Sequence, residues 1–174
     1  MKNDISAIGN ALVDTVFKVE HSLISELGLE IDQMTLSSAE EHAPIIDRLI
    51  ASGADTISDC GGSATNSLVA AASFGAKCFH TCKVSDDQDG VKYLESLKEA
   101  GVGHKGNMAS ASTIPTGKCL ILVTPDAKRT MATALNVSSL MNDDDLDLNQ
   151  IANSKIFYIE GYIVTSEENY KVTL

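Results

Sequence analysis

Short apolar runs alternate with amphipathic stretches along the chain, which is the pattern of an α/β protein. Residues 4–8 predict a buried strand that runs into the turn Gly9-Asn10. Residues 12–19 predict a second strand, with Val13, Thr15, Phe17 and Val19 sharing one face. Ser38 and Glu41 form a capping-box pattern, and Ala43, Ile46, Leu49 and Ile50 follow at helical spacing until Gly53. Residues 56–59 suit a short strand leading into Cys60-Gly61-Gly62. A helix rich in small residues is predicted over 64–74, and a strand over 77–84. The helix predicted over 87–100 turns Val91, Leu94 and Leu97 inward and stops at Gly101.

The texture then changes. Residues 118–124 and 129–134 are strand-like runs joined by Pro125-Asp126-Ala127-Lys128, a turn sequence with Pro at its second position. Such an antiparallel hairpin does not fit a purely doubly wound sheet, so it predicts a small appended sheet shared with the early strand around 13–19. Asn142 is predicted to cap a helix beginning Asp143-Asp144-Asp145, whose charges complement the helix dipole. A strand over 155–159 and a helix start at Thr165-Ser166-Glu167-Glu168 close the chain. A βα unit needs a return strand, so the architecture reads as cut.

Composition narrows the function. With 174 residues and 44% hydrophobic content, the chain can bury one proper core. A formal net charge of −11 and no Lys/Arg cluster argue against nucleic acid or an anionic membrane as partner. No run approaches membrane-spanning length, and none resembles a targeting signal. Cys60, Cys78, Cys82 and Cys119 read as reduced thiols of a cytoplasmic protein, because one Cys-x3-Cys pair without ligand-spaced His does not define a metal site.

Two turns carry candidate chemistry. Asn10 and Asp14 appear where the first strand ends, and Gly61-Gly62-Ser63 precedes a helix with Asn66 in its first turn. Loops at the carboxyl ends of strands converge on ligands in open α/β sheets. An ionised Asp accepts from two neighbouring hydroxyls, an Asn amide donates and accepts, and paired glycines admit close backbone approach. The set suits a polyhydroxyl ligand, although each motif alone reads more readily as a plain turn or helix opening. A Gly-x-Gly-x-x-Gly dinucleotide fingerprint is missing, since Gly9-Asn10-Ala11 is not one.

The joint order is more specific. Gly9-Asn10 with Asp14, Gly61-Gly62 with Asn66, Asp86-Asp87 with Gly90, Pro115-Thr116-Gly117, Pro125-Asp126 with Arg129-Thr130-Met131, and Glu160-Gly161-Tyr162 follow one another. This order resembles the N-terminal half of the PfkB (ribokinase-like) carbohydrate and nucleoside kinases, nearest the adenosine-kinase-like branch. The resemblance spans essentially all of residues 1–174 and implies a ribokinase-like three-layer α/β/α core, present in part, with a small β-sheet lid. The lid would come from discontinuous segments at about 11–37 and 104–136, and the C-terminal ATP-binding part would be absent. Ser85, Cys82, Asp89 and Leu68 depart from common family residues, which bears on packing and branch more than on hydroxyl recognition.

Carried over residue by residue, the resemblance implies that Asp14 holds sugar hydroxyls, helped by Asn10, Gly61, Gly62, Ser63 and Asn66. Leu12, Met34, Cys119 and Met131 would face the rest of the substrate, and Arg129 stands where the family has an arginine that can approach phosphate. The family's catalytic Asp lies in a Gly-Ala-Gly-Asp segment that this sequence does not contain. The chain thus reads as the substrate-binding half of an ATP-dependent kinase acting on a hydroxymethyl group of a nucleoside or sugar. No catalytic residue and no metal ligand are expected within it. ATP and Mg2+ would belong to the complete parent enzyme, and the half by itself would be inactive. The alternative is a non-catalytic binding module, or one that forms a homodimer through the lid sheet.

Overall fold

The computed structural model describes residues 2–110 and 113–174 and contains two sheets. The first sheet is parallel and four-stranded, in the order β6 (Gly103–Ala109), β5 (Cys78–Ser85), β1 (Asn3–Ile8) and β9 (Ser154–Ile159). Alternation along β1 sends neighbouring residues to opposite layers. Ala7 joins Ala64, Leu68, Tyr93 and Leu97 from α3 (Ser63–Ser73) and α4 (Gln88–Glu99). Ile8 joins Met141 and Ile163, with Val172 of α6 (Glu167–Val172) packed beside them. Helices thus cover both faces of a parallel sheet, as the pattern of apolar runs predicts.

The second sheet is mixed and five-stranded: β3 (Met34–Leu36), β8 (Arg129–Ala134), β7 (Gly117–Val123), β2 (Leu12–Lys18) and β4 (Thr56–Gly61). Its back face buries Phe17, Leu120, Leu122 and Ala132 against Leu23 and Ile24 of α1 (His21–Glu26) and Leu49 of α2 (Ala39–Ala51). The Ser38–Glu41 capping box opens α2 as read from the sequence. The hairpin of β7 and β8 pairs Lys118 with Ala134 and Val123 with Arg129. Ala127 takes positive φ in its turn.

Several expectations are revised. Residues 104–109, expected within the lid, form β6 and pair in parallel with β5, and Ala111 and Ser112 of that segment lie outside the described residues. The cause is α4, which returns the chain alongside β5, with Leu94 lying directly on the bare Cα of Gly106. Conversely, residues 56–61 enter the small sheet as β4, antiparallel to β2. Val91 is exposed on α4 and Tyr93 takes the inward place, because its hydroxyl finds Thr65. Asn142 does cap residues 143–145, but only a 3-10 turn forms before Leu146 turns extended; the next helix is the short α5 (Leu148–Ala152).

The two sheets meet where the chain crosses between them. β1 leaves the parallel sheet through Gly9-Asn10-Ala11 and becomes β2 of the mixed sheet. β4 crosses back through Gly61-Gly62 into α3. Leu12 pairs with Gly61, so the two crossings lie side by side.

Candidate functional site

A cavity of about 330 Å3 lies at this junction, and Asn10, Leu12, Asp14, Met34, Gly62, Ser63, Asn66, Cys119, Arg129 and Met131 all line it. Ten of the eleven site residues named from the sequence therefore share one concavity. Gly61 does not line it. A Cβ at Gly61 would collide with the Asp14 carboxylate, so this glycine gives Asp14 room to pack rather than facing the cavity. Gly62 takes φ +99°, and a Cβ there would strike the carbonyl of Asn10. The glycine pair lets the two crossings touch, which is why neither position tolerates a side chain.

Sheet register builds the outer wall. Asp14 pairs with Cys119, Cys119 with Thr133, and Thr133 with Leu36, giving one row across four strands. Two residues along, Ile121, Met131 and Met34 form the next row on the same face. The wall is therefore apolar and sulfur-rich, with one carboxylate near its edge. Thr133 donates to the Cys119 sulfur at 3.2 Å. Burial pushes the Cys119 thiol up to about 11, so it acts as a neutral, soft surface.

The Asp14 carboxylate makes no hydrogen bond to protein among the described residues. Burial pushes its carboxyl up to about 6, with the Arg129 guanidinium pulling it down and Asp59 adding to the rise. Arg129 is exposed at the cavity rim. A half-buried carboxylate without a partner is costly unless something else hydrogen-bonds to it.

The inner wall is built differently. Glu160, at the end of β9, is 2% exposed. Its carboxylate accepts from the Asn10 N–H at 2.7 Å, from the Ser63 N–H at 3.3 Å and from the Ser63 hydroxyl at 2.5 Å. It also packs where a Cβ of Gly9 would otherwise stand. Glu160 thus ties the first crossing to the opening turn of α3, where the Asn66 N–H bonds to the Gly62 carbonyl. Glu160 belongs to the Glu160-Gly161-Tyr162 motif but is not among the residues expected from the sequence to form the site. A carboxylate immediately after an apolar strand is the signal available in the sequence. Leu36, Ile121, Thr133, Leu135, Tyr162 and Thr165 also line the cavity without having been named.

Two other motifs are accounted for structurally. Asp87 caps α4 through the Gly90 N–H at 2.7 Å and accepts from the Thr116 N–H at 2.8 Å and hydroxyl at 2.6 Å. The Asp-Asp-x-x-Gly and Pro-Thr-Gly segments therefore hold each other, and a Cβ on Gly90 would clash with the Ser85 carbonyl. Lys83 and Asp145 form a buried ion pair at 2.9 Å, so the acidic run of 143–145 contributes to packing. No group of three or more His, Cys, Asp and Glu side chains that could hold a metal occurs among the described residues.

Comparison with known proteins agrees with this fold. The profile of the pfkB family carbohydrate kinases matches residues 33–173. No curated protein sequence matches the chain. Among solved structures, an adenosine kinase from Sinorhizobium meliloti superposes with a TM-score of 0.87 at 29% identity, covering 98% of this chain and 50% of its own. A probable sugar kinase from Rhizobium etli CFN 42 gives 0.90 at 25% identity, covering 99% and 51%. An adenosine kinase from Anopheles gambiae, in complex with P1,P4-di(adenosine-5) tetraphosphate, shares the fold with a TM-score of 0.84 at 24% identity. It covers all of this chain and 54% of its own. The chain spans about half the length of these structures. Its ribokinase-like α/β fold and the family match together establish that the chain belongs to the pfkB family of carbohydrate kinases.

Proposed function

We propose that this chain forms the substrate-binding part of an ATP-dependent kinase that phosphorylates a hydroxymethyl group of a nucleoside, adenosine-like, or of a sugar. The observation that carries the reading is the unpartnered, half-buried Asp14 carboxylate facing a cavity whose other carboxylate, Glu160, is already bonded to protein. Adjacent ligand hydroxyls would satisfy it by donating one hydrogen bond to each oxygen, a charge-assisted arrangement. The methionine and cysteine rows of the outer wall supply a flat apolar surface for a nucleobase, which favours a nucleoside over a simple sugar. Arg129 at the rim is the proposed phosphate contact.

Phosphoryl transfer needs an oriented hydroxyl and stabilisation of charge on the transferred group. In this reading Asp14, Asn10 and Asn66 supply the orientation. The described residues do not fit a magnesium–nucleotide site, since Glu160 is committed to three donors and Arg129 is the cation of the cavity. ATP and Mg2+ are therefore proposed for the complete enzyme, in the half of the related fold that this chain does not span. The four cysteines are free thiols, which supports a cytoplasmic setting. No described helix is long and apolar enough to cross a membrane.

A second reading, a non-catalytic module that pairs through its lid, is favoured by β4. This edge strand leaves Thr56–Asp59 exposed, with Ile57 68% exposed. A second copy could add to that edge and form a homodimer. Calorimetric titration of the chain with adenosine, ribose and fructose, alongside sedimentation, tests both readings. Adenosine binding above ribose is the expected result. No heat with any of the three would overturn the substrate-binding reading, and a concentration-independent monomer would remove the second.

A further inference from the structure

Asn10 contributes a side-chain amide to the cavity, and which end of that amide faces the ligand decides what the site recognises. The answer is fixed by a residue 159 positions away. Asn169 on α6 is 0% exposed. Its Oδ1 accepts from the Met141 N–H at 2.8 Å, and its Nδ2 donates to the Ser138 carbonyl at 2.8 Å. A backbone N–H can only donate and a carbonyl can only accept, so these two contacts fix the orientation of the Asn169 amide without reference to Asn10. The remaining Nδ2 hydrogen then meets Asn10, whose Oδ1 accepts it at 3.3 Å. On its other side Asn10 donates its backbone N–H to Glu160. The Nδ2 of Asn10 has no protein partner among the described residues, and it is not among the sealed, unpartnered atoms of the interior.

We infer that Asn169 is a positioning residue that sets the polarity of Asn10, so that the site offers a donor at Asn10 opposite the acceptor at Asp14. A ligand is then read as a pair: a hydroxyl that donates to Asp14 beside an oxygen that accepts from Asn10. A vicinal diol meets both demands, whereas a ligand presenting two donors meets only one. This inference rests on the proposed substrate-binding reading but concerns a residue that does not touch the ligand. Polarity passes from the backbone of 138–141 through Asn169 to Asn10, and a buried relay of this kind has one satisfied arrangement.

The test begins without ligand. In the 15N-labelled chain, the side-chain amide of Asn169 should be protected from hydrogen exchange, and a through-hydrogen-bond coupling should run from its nitrogen to the Asn10 carboxamide carbon. The Asn10 amide should exchange at least tenfold faster. An Asn10 amide protected and coupled toward Asn169 would overturn the inference, whatever the chain binds. In Asn169→Asp, the carboxylate still accepts from Met141 but no longer donates, so Asn10 should turn its nitrogen inward and the coupling should reverse direction. Adenosine affinity should then fall about tenfold, the loss of one hydrogen bond plus a repulsive contact. Wild-type affinity in a folded Asn169→Asp protein also overturns the inference. If neither protein binds adenosine while the amide signals behave as described, the substrate reading fails and the assignment of amide polarity stands.

Discussion

The two walls of the cavity treat buried charge in opposite ways. On the inner wall Glu160 is almost fully enclosed, and its oxygens receive three hydrogen bonds from Asn10 and Ser63. On the outer wall Asp14 is half-buried beside apolar strands with no protein donor of its own, and burial raises its carboxyl to about 6. The first carboxylate is structural, since its charge is balanced before any ligand arrives. The second is held at a cost that only a guest can offset. A folded protein keeps an unsatisfied group of this kind where binding will complete it.

This contrast predicts that substitutions on the inner wall cost stability and those on the outer wall cost binding. Glu160→Ala should have the largest effect. It strands three donors, two of them backbone groups, and should destabilise the chain by about 3 kcal/mol in urea unfolding. Unchanged stability would break the comparison. Asp14→Ala should leave the fold intact and weaken adenosine binding about a hundredfold, read by calorimetry. A loss of stability as large as that of Glu160→Ala would show the two carboxylates to be equivalent.

Asp14→Asn sharpens the comparison through pH. Because the folded-state pKa of Asp14 lies above its ordinary value of 3.8, the fold favours the protonated form. Its contribution to stability is complete below about pH 4 and is lost as the pH rises through about 6. The Asn variant should therefore match the wild type near pH 4. Above pH 6 it should exceed it by about 1–2 kcal/mol, allowing for screening at the open mouth. Adenosine binding by the wild type should strengthen between pH 5 and 7 as Asp14 ionises, and that dependence should vanish in the variant. The smallest effect is expected for Met131→Ala, whose half-buried side chain faces the cavity: about a fivefold weaker adenosine affinity with stability changed by under about 1 kcal/mol. A larger loss of stability than of binding would make that row part of the core.

The same contrast separates what is legible in the sequence from what is not. Asp14 could be named because an acidic residue near the tip of a strand stands out against its apolar neighbours. Glu160 follows a strand in the same way, but its task depends on Asn10 and Ser63, 150 and 97 residues distant. Gly61 looked like a ligand-facing glycine because bare backbone suits either a guest or a neighbouring side chain. The neighbour proved to be Asp14. The resemblance places residues 104–109 in the lid, yet they pair with β5, because a short segment carries no local record of which strand it will meet.

By itself the sequence determined the local grammar of this protein. The capping box of α2, the hairpin around Pro125, the positive-φ glycines that end α2, α3 and α4, and the order of motifs that marks the family are all properties of short segments or of their succession. Tertiary structure decided everything that depends on two distant segments meeting. It brought the β1–β2 and β4–α3 crossings side by side, left one carboxylate bonded and the other waiting, and oriented the Asn10 amide through Asn169. Propensity and periodicity act over a few residues, whereas hydrogen-bond satisfaction in a buried site is settled only when groups far apart in the chain are enclosed together.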